Sequence, residues 1–560
     1  MRGKRIAAGL FLLLLCLASG ALADRIGELS ARNVLSEEAH EVIANITQSG
    51  RYVVYLPGWW DPTQVRLTLE GAETLTVAGE AYENGAAVDI SPWLGKPVKV
   101  GRNGARMTAQ VTFLQGSDVM GLFVDVDPER YRKVFRDKTL TIDEGRVQAA
   151  NPDGSLAYDG GLVQFKGRGN NTYSSQYPKK PYQIKLAEKA DLGGMGKART
   201  WLLIANHLDL TLVRNQVTLD LARAMGLKNA VECAQADVWI NGEYQGLYLL
   251  TEKIQIQKNR VNIRNLEEET EELNEAPPDS FPTFREGKMR GYEIPRNPED
   301  ITGGYILELD KAHRYENESD NGFVSETRMH MVIEEPTCAS REQVAYISER
   351  FNRLCRAIAG DGTDPATGAS YTELLDTESF AIKFLIEDFC KNFDALAGSQ
   401  FFYKDSDSVD PRFYAGPCWD YDLSYGNVRI KGGGTCWDPK GSWVTTARNG
   451  QTSWYKQLWE QKEFRAAVKA MYWERFRPLV SRLLGETESA LQDGIRPLDA
   501  YLEEISASSR MNFTRYLEGV IPGIYAPNGK TNEKAKIYLR DWMEKRIASM
   551  DGEYAPTEEE

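Results

Sequence analysis

The spacing of apolar residues changes along this chain, and that change limits the fold more than any single motif does. Between about Asp24 and Asp153 they come in short runs broken by Gly, Asn, Asp and Pro: Arg51–Leu56, Val65–Leu69, Val98–Val100, Met107–Phe113 and Val119–Val124. Such runs predict strands, and the segment reads as a small, sandwich-like β-domain. Strands and helices then mix from Gly161 to about Gly426. From Thr452 to Met550, positions such as Trp454, Leu458 and Trp459 follow helical spacing, and a last helix is predicted over Lys536–Met550. The chain is therefore α+β, with no internal repeat. A β-rich domain is expected over 24–153 and a second domain over 154–555, its C-terminal part at 452–550 mostly helical.

Local signals fill in this outline. Asn241-Gly242, between Val238–Ile240 and Gly246–Leu250, is a strong hairpin signal. Leu210–Met225 predicts a helix with Asp209 as N-cap and Gly226 as its stop. The acidic, Pro-rich stretch 266–300 predicts a solvated insertion loop. Trp59-Trp60 reads as core packing in preference to a carbohydrate platform.

The N-terminus reads as an export leader. Arg2, Lys4 and Arg5 precede the apolar run Ile6–Leu17, and Ala21-Leu22-Ala23 supplies a small-x-small cleavage pattern. An uncleaved anchor is the other reading, but the run is short for a span, which takes about 20 apolar residues. The mature chain, after residues 1–23, is expected to be secreted or at the cell surface, with no membrane span. Six cysteines follow the leader without C-x-x-C spacing, so zinc is disfavoured. Cys390 reads as a buried thiol, and Cys418 and Cys436 are candidates for a disulfide across a loop. Asp+Glu 81 against Lys+Arg 67 leaves a net charge of −14, which argues against a nucleic-acid partner.

Four segments could carry chemistry. Phe165-Lys166-Gly167-Arg168-Gly169-Asn170 leaves a strand into a Gly-rich turn, which could let backbone N–H groups and Arg168 approach a phosphate; a tight hairpin explains the same glycines. Tyr182, Ile184 and Leu186 should face one way and Gln183 and Lys185 the other. Lys185 is then either a phosphate-holding lysine or an exposed edge-strand one. The helix predicted over Thr377–Phe393 runs into Asp394, suited to orienting a hydroxyl or to capping a turn. The carboxylates of Asp420 and Asp422, in Cys-Trp-Asp-Tyr-Asp, suit Mg²⁺ and phosphate oxygens, although D-x-D is also common in surface turns. Gly-turn, strand Lys, helix, hairpin, loop Asp and strand Asp follow the order of parts in a kinase-like phosphotransferase.

Five longer segments, VQFKGRGNNTYSSQYPKKPYQIKL, WLLIANHLDLTLVRNQVTLDLA, DVWINGEYQGLYLLTEKI, GGYILELD and PCWDYDLSYG, resemble the CotH kinase family (spore-coat protein H-like). The resemblance implies an atypical protein-kinase-like fold. It also implies transfer of the ATP γ-phosphate to Ser or Thr of secreted, coat or surface proteins, with Mg²⁺ or Mn²⁺. An inactive relative acting in adhesion or coat assembly is the alternative. By motif, Asp394 would be the catalytic acid and Lys185 would hold phosphates, with Arg168 and Asn170 in the phosphate-side turn. Glu252, in Thr251-Glu252-Lys253, would lie on the segment against which adenine stacks. Asp420 and Asp422 would hold the metal. Many relatives carry metal-binding Asn after the catalytic Asp. Here Ser399-Gln400 stands in that place, which makes Gln400 a candidate metal donor. Arg214 and Asn215 belong to the family's helix motif, as structural or phosphate-directed residues.

Overall fold

Alternation builds the first sheets as the sequence predicts. In the strand Val65–Leu69, Val65, Leu67 and Leu69 are buried, with exposed Arg66 and half-buried Thr68 between them. The computed structural model describes residues 27–33, 41–47, 49–105, 108–396, 398–428, 436–445, 454–487, 494–518 and 531–556. Residues 1–23, which the sequence predicts to be a leader, lie outside these. Among the described residues no helix is long and apolar enough to cross a membrane. The chain divides into two units. One comprises the described residues through Leu212, Cys233–Glu252 and the segment from Asp499; the other comprises Val213–Glu232, Lys253–Leu498 and the C-terminal segment.

The first unit opens with a four-stranded and a six-stranded sheet that share one apolar core, including Leu29, Leu67, Val54, Val100 and Phe113. Trp60 is buried in that core and Trp59 packs on Phe123, ring centroids 6.4 Å apart. The pair is packing, as expected. A Cβ added at Gly121 would stand 2.0 Å from the Trp59 ring, so the indole occupies the space that glycine leaves.

The third sheet closes on itself. Its order runs Thr141–Ile142, Leu156–Gly167, Gly145–Ala150, Met120–Asp125, Cys233–Ile240, Glu243–Glu252, Lys197–Ile204 and Tyr182–Asp191, and the last strand pairs back onto Leu156–Gly167. Seven strands thus form a barrel, which leaves those strands no open edge. Strands from both sides of residue 153 share this sheet. The interior holds Leu122, Val147, Phe165, Ile184, Trp201 and Leu250. Asn241 and Gly242 turn the predicted hairpin with φ +50° and +77°, the left-handed pair that a two-residue turn requires.

The helix Ser506–Arg515 supplies polar partners to the same unit. Ser508 Oγ donates to Asp237 Oδ2 at 2.6 Å, and Tyr244 OH donates to Asp237 Oδ1 at 2.6 Å. Lys179 Nζ donates to Asn512 Oδ1 at 2.8 Å and to the Leu247 carbonyl.

The second unit carries a seven-stranded antiparallel sheet. Its order is Thr283–Glu286, Met289–Tyr292, Gly322–Val324, His330–Glu335, Tyr305–Asp310, Gln400–Lys404 and Phe413–Ala415. Helix Arg341–Ala359 sets Phe351 against the rings of Phe323, Phe402 and Phe413. Past residue 454 every described element is helical, and the last helix, Asn532–Glu553, includes the predicted Lys536–Met550.

Three expectations need correction. The stretch 266–300 is no loop: Asn265 caps a helix at Leu266–Leu273, and Thr283–Glu286 and Met289–Tyr292 form the edge hairpin of the sheet. Its acidic first turn favours a helix N-terminus, a use of charge that composition does not reveal. Asp209 does not cap the helix Arg214–Ala224; its Oδ1 accepts from Thr211 N–H and Oγ1 at 2.9 and 2.7 Å, closing a turn before the helix. Cys418 and Cys436 are both buried and are not joined in a disulfide.

Candidate active site

The helix Thr377–Cys390 delivers the candidate base. Asp376 caps it, with Oδ1 accepting the Ser379 N–H at 2.9 Å. The helix stops at Lys391, whose φ of +46° turns the chain and whose ammonium donates to the carbonyls of Asp438 and Lys440 at 2.7 and 2.6 Å. Asn392 then ties two loops together. Its Oδ1 accepts the Asp394 N–H at 3.1 Å, and its Nδ2 donates to the Asp420 carbonyl at 3.4 Å.

Asp420 lies beyond the strand Phe413–Ala415 and is exposed. Ser399 Oγ donates to Asp420 Oδ2 at 3.4 Å. The loop is held from the helix Arg214–Ala224, where Asn215 Oδ1 accepts the Tyr421 N–H at 2.6 Å and Thr218 Oγ1 lies 2.8 Å from Tyr425 OH. Asn215 is therefore a clamp on the Asp-Tyr-Asp segment. Lys391, Ser399, Asp420 and Tyr425 all have positive φ, between +46° and +66°. Non-glycine residues rarely adopt that region, at a cost of roughly 1–3 kcal/mol each, and they cluster where function demands it.

The structure brings together Asp394, Ser399 and Asp420 and sets Gln400 apart from them. Gln400 is fully buried: Tyr455 OH donates to its Oε1 at 2.9 Å, and its Nε2 donates to Glu387 Oε1 at 3.3 Å. The amide oxygen proposed for the metal faces the core, and the Ser399 hydroxyl stands beside Asp420 instead. Asp422 is 9% exposed, so the two acids of the D-x-D differ in their access to solvent. Among the described residues no group of three or more His, Cys, Asp or Glu is placed to enclose a metal ion. Mg²⁺ does not need such a cage, because it commonly takes one or two carboxylates plus phosphate oxygens and water. Asp420 is an exposed carboxylate of the kind Mg²⁺ takes.

Sequence reasoning missed the acids of the neighbouring strand. Tyr305–Asp310 pairs with Gln400–Lys404 in a register that sets Leu309 opposite Gln400. Glu308 and Asp310 share one strand face and line a cavity of about 370 Å³ with Arg314, Glu334 and Thr337. Burial, then Glu334 and Asp310, raises the Glu308 carboxyl well above its ordinary value, and Asp420 adds to the same direction. Burial likewise raises Asp310, against the pull of Arg314 at 3.1 Å. The signal was present in GGYILELD: two acids at i and i+2 in an apolar strand.

The first unit holds the other candidates. Lys185 is exposed on a strand whose Tyr182, Ile184 and Leu186 are buried, as alternation predicts. Arg168 is half-buried, its backbone N–H donating to the Pro181 carbonyl at 3.1 Å. Asn170 Oδ1 accepts from Lys138 Nζ at 2.5 Å. Glu252 is buried at the end of Glu243–Glu252, its carbonyl accepting the Thr251 hydroxyl at 3.0 Å. A Cβ at Gly167 would stand 2.2 Å from the Tyr173 ring, so packing alone requires that glycine.

A family model for the CotH kinase protein matches residues 163–550 of the 560. The chain belongs to the CotH kinase family. No curated protein matches it.

Proposed function

We propose that this member of the CotH kinase family adopts an atypical kinase-like fold and transfers the γ-phosphate of ATP to Ser or Thr hydroxyls of exported coat or surface proteins. The observation that carries this reading is Asn392, which ties the loop of a nearly buried carboxylate, Asp394, to that of an exposed one, Asp420. Phosphoryl transfer needs one carboxylate for the acceptor hydroxyl and one for the charge on the phosphates.

In this mechanism Asp394 accepts a hydrogen bond from the hydroxyl and turns its oxygen toward the γ-phosphorus. The new P–O bond forms as the bond to the bridging oxygen breaks. The hydroxyl proton passes to Asp394, and ADP leaves with the bond's electron pair. Lys185 and Arg168 give cationic donors to the phosphates, Asn170 shapes their turn, and Glu252 lies on the adenine-side segment. Bound at Asp420, with Asp422 as second acid, Mg²⁺ or Mn²⁺ would supply neutralisation of phosphate charge. The predicted leader puts the substrates among proteins met during or after secretion.

Titration of Mg–ATP and Mn–ATP into residues 24–560, beside Asp420→Ala, tests the reading. Metal-dependent binding in the wild type that is lost in the variant is the expected result. Full turnover in Asp420→Ala would refute the metal assignment. A folded wild type that binds no nucleotide would favour a non-catalytic role in adhesion or coat assembly.

A further inference from the structure

The cation beside the candidate base comes from a different element. Lys311 follows the strand Tyr305–Asp310, and its Nζ lies 2.7 Å from Asp394 Oδ1. The contact is an ion pair without hydrogen-bond alignment. Its backbone N–H donates to Asp310 Oδ1 at 2.7 Å, so the lysine leaves the strand in a fixed direction. Its stem then passes the far end of the same loop. A Cβ added at Gly398 would stand 3.5 Å from Lys311 Cε and 3.6 Å from Cγ. Gly398 N–H in turn donates to the Asp394 carbonyl at 2.9 Å. One side chain therefore borders both ends of the Asp394–Gly398 turn and touches the carboxylate itself.

Stability does not account for this arrangement. The Lys311 side chain is 31% exposed against 12% for Asp394, so water reaches the pair from the lysine side and its contribution to stability is small, about 1 kcal/mol. A carboxylate that must present one oxygen to a hydroxyl gains more from having the other oxygen fixed, because misalignment costs rate steeply. The geometry points to Lys311 as a positioning residue for Asp394: it holds Oδ1 and so sets the rotation of the carboxyl group toward the acceptor hydroxyl. This rests on the kinase reading above. Lys311 acts through Asp394 and takes no proton in the reaction, since an ammonium has donors only.

The test is a double-mutant cycle on the full chain, with self-phosphorylation and ADP release from Mg–ATP as readouts. Lys311→Met should lower kcat about 10–100-fold while the affinity for Mg–ATP stays within about twofold. Lys311→Arg should recover part of the loss, because a cation is restored. In an Asp394→Asn background Lys311→Met should cost nothing further, as for two residues that act as one unit. Thermal melting of each variant confirms folding. Unchanged kcat in Lys311→Met, or losses that multiply in the double variant, would overturn the inference and leave the kinase reading standing. A folded wild type that neither binds nor turns over Mg–ATP would defeat the kinase reading, and this inference with it.

Discussion

Both units bury charged side chains against complementary partners, but the sheet unit also crowds carboxylates together. In the barrel unit Lys180 donates to the carbonyls of Tyr173 and Ser174 at 3.2 and 2.6 Å, Lys179 has a carbonyl and Asn512, and Asp237 receives two hydroxyl donors. Each of these three charged groups meets a partner of complementary character, which is how an interior tolerates charge. In the sheet unit Lys383 and Arg546 likewise pair with Glu387 and Asp388, but burial, and then Glu334 and Asp310, raise the Glu308 carboxyl. Both units have non-glycine residues at positive φ, but in the sheet unit four of them, Lys391, Ser399, Asp420 and Tyr425, gather in the loops around Asp394 and Asp420. Packing explains the first pattern and gives no reason for the second. Like charge and left-handed backbone, kept together, are what functional sites often combine, and they make the sheet unit the place to test for chemistry.

The sharpest way to break this contrast is at Asp394. Asp394→Asn keeps the size of the side chain and should lower phosphotransfer roughly 10²–10⁴-fold, with Mg–ATP binding and melting temperature unchanged. A loss of folding in its place would make Asp394 a structural residue, like the buried charges of the barrel.

A second comparison uses pH. Burial raises the Asp237 carboxyl from 3.8 to about 7 and the Glu335 carboxyl from 4.5 to about 8. The unfolded chain releases these protons first, so stability should fall as pH rises, between about 4 and 7 for Asp237 and about 4.5 and 8 for Glu335. Denaturant unfolding at pH 5 and pH 8 measures the loss, a few kcal/mol at most. Asp237→Asn and Glu335→Gln should each flatten it, and an unchanged slope in either variant would remove that residue from the account.

Gly167→Ala separates packing from phosphate binding in the glycine turn. The added methyl meets the Tyr173 ring, and overpacking of this kind costs roughly 1–3 kcal/mol, read as a lower unfolding midpoint. Weaker ATP binding at full stability would restore the phosphate explanation. The smallest expected effect is none at all. With no disulfide among the described residues, reductant should leave the melting temperature unchanged, whereas loss of a native disulfide typically costs 2–5 kcal/mol.

What could be read from the sequence was local. The Asn241-Gly242 turn, the strand Val65–Leu69 and the outward Lys185 follow from turn chemistry and from one buried face per strand. Barrel closure was not legible, because it depends on distant pairings such as Leu162 with Leu186 and the parallel match of Met120 with Ala236. Gln400 misled for a related reason. Its strand is buried on both faces, so alternation carries no information about which way the amide points. Lys311 was invisible because an ion pair across the 83 residues to Asp394 leaves no trace in spacing. Asp394 was singled out by its place in the loop after the helix Thr377–Cys390.

The helix Ser506–Arg515 has a consequence for the order of synthesis. The chain leaves the first unit after Glu252 and returns to it only near Asp499. A polypeptide emerging from its N-terminus therefore holds the barrel strands for about 250 residues before Ser508 and Asn512 arrive to meet Asp237 and Lys179. Until then both charges lack their last partners. The first half of the protein is unfinished until nearly the last of it has been made, so a nascent or truncated chain that stops short of residue 506 should be handled by the cell as unfolded material.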